Sequence, residues 1–322
     1  MNKLRSAISI AMCTYNGAQY IEEQLTSILH QTRKVDEIVI CDDGSLDNTL
    51  EIIGRIKRET TTTMRIVRNK VRLGFYKNFL KALSLCDGDL VFLSDQDDIW
   101  CKDKVEKMVA YFERYTSIDV LFTNAKLIDE NSEVFINETL WDRAGFTPKM
   151  QLYFEKGYGQ EIWTISNRAT GATMAVRKSF FLGEDWQKYN LPLHDYIISF
   201  VAVIEGHCGY ISEPLMSYRI HKGQTIGAMH YVPCFYPPLL AYTADLDGIC
   251  NLPASVNIRL EFMRKRESLY KRFLGAFLVC CYVSSYIRIY GKWWYKFVGY
   301  DIFWCMKKTL LIICKQLRKI VC

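Results

Sequence analysis

The sequence predicts an α/β fold built on a mostly parallel sheet flanked by helices, with a basic, aromatic helical tail at the C-terminus. Three observations carry the prediction. Short apolar runs bounded by turn residues alternate with stretches of ten or more residues whose apolar positions recur at helical spacing. Crossovers of that length are what parallel strands require, and helices on both faces bury the sheet they cover. The polar clusters "CTYNG", "CDDGSLDN" and "SDQDD" each fall directly behind an apolar run, and open α/β sheets bind ligands at the carboxyl ends of their strands.

Taken in order, "AISIAMC" alternates as a strand and "YIEEQLTSILHQ" has helical apolar spacing. "DEIVIC" is a second strand, "NTLEIIGRIKRE" a helix, and "MRIVR" a third, short strand. "YKNFLKALSL" is helical, "DLVFLS" a strand, "KVEKMVAYFERY" a helix and "DVLFTN" a strand. After Asn124 the rhythm loosens through "KLIDENSEVFINETLWDRAGF" and a glycine- and aromatic-rich stretch to "ATGATMAV", whose plain reading is a core strand. "LHDYIISFVAVIEGHCGYI" gives a helix and a strand, and a short strand after Pro214 leads into "YRIHKGQTIG". Near Pro233 the segment "PCFYPPLL" breaks the pattern.

The chain has 322 residues, enough for one large or two small domains. Its net charge of +6 hides an uneven distribution. From Val256 onward there are 14 Lys and Arg against three acidic residues, a net of +11, whereas the rest carries 27 basic and 32 acidic residues, a net of −5. The 12 cysteines include no C-x-x-C, and the N-terminus moves directly into an alternating strand, so reduced thiols in a cytosolic setting are expected. The uncharged run from Phe273 to Ile287 has 15 residues, short of the roughly 20 that span a bilayer. Flanking Lys and Arg and the tryptophans Trp293, Trp294 and Trp304 suit amphipathic helices lying on an anionic membrane surface. A helical subdomain packed on the body or on a second copy of the chain is the plainer alternative.

Asp95, Asp97 and Asp98 stand within four residues behind the apolar run "DLVFL". One Asp would suffice to cap the following helix. Three like charges call for a counter-charge, most simply a divalent cation on hard oxygen ligands. A second acidic loop, Asp42-Asp43-Gly44-Ser45-Leu46-Asp47, caps a helix through Asp47 and leaves a carboxylate able to accept the imide N–H of uracil or thymine. Thr14, Tyr15, Asn16 and Gly17 add an aromatic face and an amide behind the first strand. Neither G-x-G-x-x-G nor a Walker-type G-K-[ST] occurs, so a nucleotide's phosphates would need a metal rather than a nest of backbone N–H groups.

"SIAMCTYNG", "VICDDGSLDNT", "RNKVRLGFYKN" and "LSDQDDIW", in this order, resemble the family 2 glycosyltransferases of GT-A fold, from about Ile8 to Gly227. The resemblance implies a glycosyltransferase domain over residues 1–230, with nucleotide binding over 1–125 and acceptor binding over 126–230, and the tail's composition makes 231–322 a helical, membrane-associating region. The resemblance places the D-x-D motif on Asp95-Gln96-Asp97, with Asp97 and Asp95 toward Mg²⁺ or Mn²⁺ and Asp95 also near the ribose. Asp42 and Asp43 match the base-binding pair, and either is open for that contact. Thr14, Tyr15, Asn16, Arg72, Gly74 and Asn78 fall in segments near the donor. Asp195 in "LHDYIISF" matches the general base of an inverting mechanism, although the usual E-D pair is here His194-Asp195; a helix cap is its plainer role. Gly171, His194 and Trp186 lie on the implied acceptor side, and Trp163, Trp186 and Tyr189 are candidate sugar platforms. Arg219 and His221 of "YRIHKG" are placed toward the diphosphate, His221 also toward the metal. The absence of Q-x-x-R-W argues against processive synthesis, and the Y-R-x-H form is similar to single-sugar bacterial rhamnosyltransferases.

The expected partners are a UDP- or dTDP-sugar, such as dTDP-rhamnose, a lipid-linked oligosaccharide of O-antigen or capsule assembly, and the cytoplasmic face of a bacterial inner membrane. Nucleic acid is not an expected partner, and the tail is a candidate surface for self-association. Two other classes compete. A nucleotidyltransferase shares metal carboxylates but needs a glycine-rich phosphate loop, and a non-catalytic nucleotide-sugar or scaffold protein would use Asp42 and Asp43 without Asp97 or Asp195.

Overall fold

The computed structural model describes residues 6–165, 167–183 and 193–224. The tail, Trp186, Tyr189 and the expected boundary at 230/231 lie outside the described residues. The first half alternates strand and helix: β1 (Ile8–Thr14), α1 (Ile21–Leu29), β2 (Glu37–Asp42), α2 (Thr49–Glu59), β3 (Thr63–Arg68), α3 (Gly74–Leu85) and β4 (Leu90–Ser94). These four strands pair in parallel in the order β3-β2-β1-β4. Each strand and helix expected over this half is present, with ends displaced by no more than two residues.

The period of two along β1 explains why the sheet needs cover on both faces. Ile8, Ile10 and Met12 join one apolar cluster with Ile21, Leu25 and Ile28 of α1 and Ile53 and Ile56 of α2. Ala11 and Cys13 face the opposite cluster, against Phe79, Ala82 and Leu83 of α3. Burying one isoleucine side chain stabilises by about 2 kcal/mol, so both faces are driven under helices.

The second half closes the sheet with strands of both directions. β5 (Ile99–Trp100) and α4 (Lys104–Arg114) lead to β6 (Val120–Ile128), which turns back through β7 (Val134–Thr139). Short helices follow: α5 (Leu140–Ala144), α6 (Pro148–Tyr153) and, after a π-helical turn at Phe154–Tyr158, α7 (Gly159–Ile165). A 3₁₀ turn at Gly171–Thr173 enters β8 (Met174–Arg177), which inserts antiparallel between β4 and β6 and is followed by α8 (Lys178–Leu182). α9 (His194–Glu205) packs on the α3 face, and β9 (Cys208–Arg219) runs parallel to β6. The full order is β3-β2-β1-β4-β8-β6-β9-β5, with β7 beside β6.

Two sequence expectations change here. The loosened stretch after Asn124 contains a hairpin, because β6 continues to Ile128 and pairs with β7 through an irregular register between Lys126 and Ile128. The short strand expected after Pro214 is the second half of one 12-residue strand. Its register against β6 shifts between Thr123 and Asn124, placing the residue without an N–H at an irregularity. Among the described residues no helix is long and apolar enough to cross a membrane.

Candidate active site

The turns behind β1, β2 and β3 surround a cavity of about 490 Å³ lined by Tyr15, Asp43, Gly44, Arg68, Asn69, Lys70 and Arg72. The two aspartates of the second loop differ in their surroundings. Asp42 is the last residue of β2 and wholly buried. Its Oδ1 accepts from Gly44 N–H at 3.1 Å and Ser45 N–H at 3.0 Å, and its Oδ2 from the Thr14 hydroxyl at 3.0 Å and the Ser45 hydroxyl at 2.5 Å. All four acceptor positions of that carboxylate are taken. Asp43 faces the cavity. Its Oδ1 accepts from Asn69 Nδ2 at 2.8 Å and Leu73 N–H at 2.7 Å, and its Oδ2 from Gly74 N–H at 2.8 Å. One lone pair on Oδ2 is left, with Arg72 Nε at 4.0 Å.

Several expected ligand contacts are thus framework. Thr14 is buried against Asp42. Asn78, also buried, accepts from Asn69 and donates to the Cys41 carbonyl, so it shapes the loop that reaches Asp43. Asn16, at φ 49°, accepts from Leu46 N–H at 2.9 Å and clamps one loop to the other. Gly74 has φ 75°, and this left-handed conformation starts α3 while aiming its N–H at Asp43. The cap of α2 is Asn48 rather than the expected Asp47, which stands one residue earlier, its Oδ1 accepting from Thr49 N–H and its other oxygen from Ala18 N–H. Tyr15 and Arg72 remain open to the cavity, the guanidinium 3.8 Å over the ring.

Beyond β4, the strand pair β5–β9 folds "SDQDD" against "YRIH". His221 Nε2 lies 2.8 Å from Asp97 Oδ2, while His221 Nδ1 accepts from Gly223 N–H at 3.2 Å. In the neutral ring that leaves the proton on Nε2, donating to Asp97. Asp98 is buried; its Oδ1 accepts from Arg219 N–H at 3.1 Å and its Oδ2 has no partner. Burial, then the charges of Asp97 and Asp95, raise its carboxyl well above the ordinary range. Burial raises Asp95 too, followed by the charges of Asp97 and Asp195. The Tyr218 hydroxyl is pushed up by burial first and then by Asp98, Asp95, Asp97 and Asp195, so all four acids act on one neighbourhood.

Arg219 corrects an expectation. It is 1 % exposed and its donors are committed within the fold: Nε to the Asp97 carbonyl at 2.7 Å, Nη1 to the Asp129 carbonyl and Ser132 Oγ, and Nη2 to Glu23 Oε2 at 2.6 Å. Its guanidinium lies 4.6 Å over the Tyr20 ring. A guanidinium enclosed this way braces the acidic turn, and its burial leaves little of it open to a diphosphate.

Asp195 begins α9. Its Oδ2 accepts from Gly171 N–H at 3.0 Å and its Oδ1 from Tyr196 N–H at 2.7 Å. Burial pushes its pKa up to about 6 against these hydrogen bonds. His194 stacks on Phe79 with ring centroids 4.1 Å apart, and burial holds its pKa down to about 3. Gly171 is required for clearance, since a Cβ there would stand 2.7 Å from His194 Nε2. The structure therefore brings Gly171, His194 and Asp195 together. Trp163 is core: wholly buried, it donates to Ser199 Oγ at 2.9 Å and is no sugar platform.

Sequence reasoning missed Lys104. It is wholly buried, donates to the Ala172 carbonyl at 2.9 Å, and sits 4.0 Å over the Trp100 ring. Burial lowers its pKa to about 7 despite Asp98, Cys101 and Asp95. A lysine at the first position of a charged helix gives no periodicity signal of burial.

Among the described residues no three His, Cys, Asp or Glu side chains form a ready-made metal cage. The donor set nevertheless fits Mg²⁺ or Mn²⁺: hard carboxylate oxygens from Asp97 and Asp95, clustered like charges, and the His221 imidazole beside them. Ligation through His221 Nε2 would shift that ring's proton to Nδ1 and give up the Gly223 contact.

Residues 9–181 match the profile of glycosyl transferase family 2. The chain is 30% identical over 227 residues to the dTDP-rhamnosyl transferase RfbG of Shigella flexneri, covering 67% of this chain and 74% of that protein. It is 33% identical over 123 residues to an uncharacterized glycosyltransferase of Haemophilus influenzae, covering 38% of each. Its fold is similar to that of S. aureus TarS 1–349 in complex with UDP-GlcNAc, with TM-score 0.50, 19% identity, and coverage of 68% of this chain and 60% of that one. The structural likeness shows a shared GT-A architecture. The family profile spans more than half of the chain and the RfbG alignment two thirds of it, so the chain belongs to glycosyl transferase family 2 and is a glycosyltransferase.

Proposed function

We propose that this enzyme moves one sugar from a UDP- or dTDP-sugar to a hydroxyl of a lipid-linked oligosaccharide, inverting the anomeric centre, with Mg²⁺ or Mn²⁺ bound. The observation that carries the reading is the grouping of Asp195, its pKa raised to about 6, with Asp95, Asp97 and Asp98 around the Tyr218 hydroxyl. The cavity behind β1–β3 supports the donor. Its Tyr15 ring offers a stacking face, and the remaining Asp43 lone pair suits the imide N–H that uracil and thymine share. RfbG is named a dTDP-rhamnosyl transferase, which makes dTDP-rhamnose the first donor to test.

The acceptor hydroxyl approaches Asp195, which is ionised at neutral pH yet more basic than an ordinary aspartate. Asp195 takes the proton as the new C1–O bond forms. The bond from C1 to the diphosphate oxygen breaks on the opposite face, its electron pair leaving with the nucleoside diphosphate. Gly171 N–H and Tyr196 N–H fix the carboxylate's orientation, and buried His194 precedes it on α9, stacked on Phe79. Arg219 holds the Asp97 backbone and Asp98 in place. A divalent cation, held by Asp97 and His221 with Asp95 alongside, would supply Lewis-acid charge for the departing diphosphate.

The acceptor, and a place at the cytoplasmic face of a bacterial inner membrane in O-antigen or capsule assembly, rest on the basic, aromatic composition of the tail. The test is a panel of UDP- and dTDP-sugars offered with a lipid-linked acceptor mixture and Mn²⁺. Transfer from one donor with inversion is the expected result. Failure of every donor, or retention of configuration, would overturn the reading.

A further inference from the structure

Gln96 stands between the carboxylates Asp95 and Asp97, and its side chain is engaged elsewhere. Its Oε1 accepts from Tyr15 N–H at 2.8 Å, and its Nε2 donates to the Tyr15 carbonyl at 3.1 Å. One amide thus makes both hydrogen bonds to one residue's backbone, the pattern of an antiparallel strand pair. The space for it is made by Gly17: a Cβ there would lie 2.2 Å from Gln96 Oε1 and 2.4 Å from Gln96 Cδ. Gly17 is not among the positive-φ glycines, so this glycine serves clearance alone.

We propose that Gln96 is a positioning residue that locks the Tyr15 face of the donor cavity in register with the Asp95–Asp97 turn, so that one nucleoside diphosphate meets both at once. The proposal rests on reading the cavity as the base subsite. The Tyr15 ring sits under Arg72 at the cavity wall, and its backbone is gripped by the middle residue of the acidic turn. Without the grip, the base face and the diphosphate end are set independently, and a ligand spanning both must order the loop itself.

A double-mutant cycle on the full chain tests this, reading UDP and dTDP affinity by calorimetry with Mn²⁺ and steady-state kinetics at varied donor. Gln96→Ala is expected to weaken nucleotide binding about tenfold, raising donor KM by a similar factor while kcat at saturating donor stays within about threefold. A residue with a merely structural role would instead lower the active fraction, and with it kcat, at unchanged KM. Gly17→Ala in the wild-type background is expected to weaken binding by about as much as Gln96→Ala, because its methyl drives the amide off Tyr15. In the Gln96→Ala background the same Gly17→Ala change is expected to cost less than about twofold, since the atoms it meets are gone. Wild-type affinity in Gln96→Ala, or an equal loss from Gly17→Ala in both backgrounds, overturns the proposal. Should Gln96→Ala not fold, Gly17→Ala alone decides it through the same split of KM from kcat. Asp43→Asn separates the premise: weakened binding there with wild-type binding in Gln96→Ala sinks the grip and keeps the base subsite. Weakened binding in Gln96→Ala alone keeps the grip and sinks Asp43 as the base contact, and wild-type binding in both removes both.

Discussion

Asp195→Asn should remove transfer and stabilise the enzyme at neutral pH. Burial lifts this carboxyl from its ordinary 3.8 to about 6. At about 1.4 kcal/mol per pH unit, holding it ionised above pH 6 costs the fold about 3 kcal/mol. The sign follows from proton counts. Between pH 4 and 6 the native state binds more protons than the unfolded chain, so stability falls as pH rises through that window and the penalty is complete above it. The Asn variant is spared that penalty but turns an amide toward Gly171 N–H or Tyr196 N–H, losing about 1 kcal/mol or more. A net gain of about 1–2 kcal/mol at pH 7.5, crossing zero at about pH 5 and turning into a loss of about 1 kcal/mol near pH 4, is expected in urea unfolding. Transfer should drop by about 10²–10⁴, the usual worth of a general base, with UDP affinity unchanged. Wild-type kcat/KM should fall tenfold per pH unit below about pH 6. Near-wild-type transfer in the variant, or an acidic limb near pH 4, would refute the general-base reasoning.

Other perturbations read the site from different directions. Asp97→Ala should abolish the Mn²⁺ dependence of UDP binding in calorimetry, leaving the weak metal-free affinity of the wild type. Arg219→Met strips Glu23, the Asp97 carbonyl and the Asp129 carbonyl of their donor, and urea unfolding should show a loss of about 3 kcal/mol. Lys104, held down to about 7 by burial, binds fewer protons folded than unfolded up to pH 10, so its own contribution to stability should rise with pH across that range. Lys104→Met should flatten that rise in urea titrations at pH 7, 8.5 and 10. Gly171→Ala pushes a methyl to 2.7 Å from His194 Nε2, and acceptor KM should rise while UDP affinity holds.

Much of the architecture was legible in the sequence because it depends on local periodicity. Alternation in "AISIAMC" and helical spacing in "YKNFLKALSL" report burial on one or both faces whatever the partner is, and both elements form as read. The order of the acidic and glycine turns behind strands was equally local, and it sufficed for the family. The segment after Asn124 resisted because β6 takes its partners from β7, β8 and β9, pairings that no single window encodes.

Composition and periodicity determined that this chain folds as a layered α/β protein with acids at its strand ends, since those features follow rules read from sequence neighbours. Only the tertiary structure decided what each acid does. Asp42 and Asp43 are adjacent, yet one is saturated inside a turn and the other opens on the cavity, because the residues that meet them come from different loops. Arg219 and His221 looked alike as cations, and β9 pairing with β5 buried the first among carbonyls while setting the second on Asp97, more than 120 residues away. Hydrogen-bond partners are a property of approach in space, and approach is fixed by strand pairing rather than by sequence spacing.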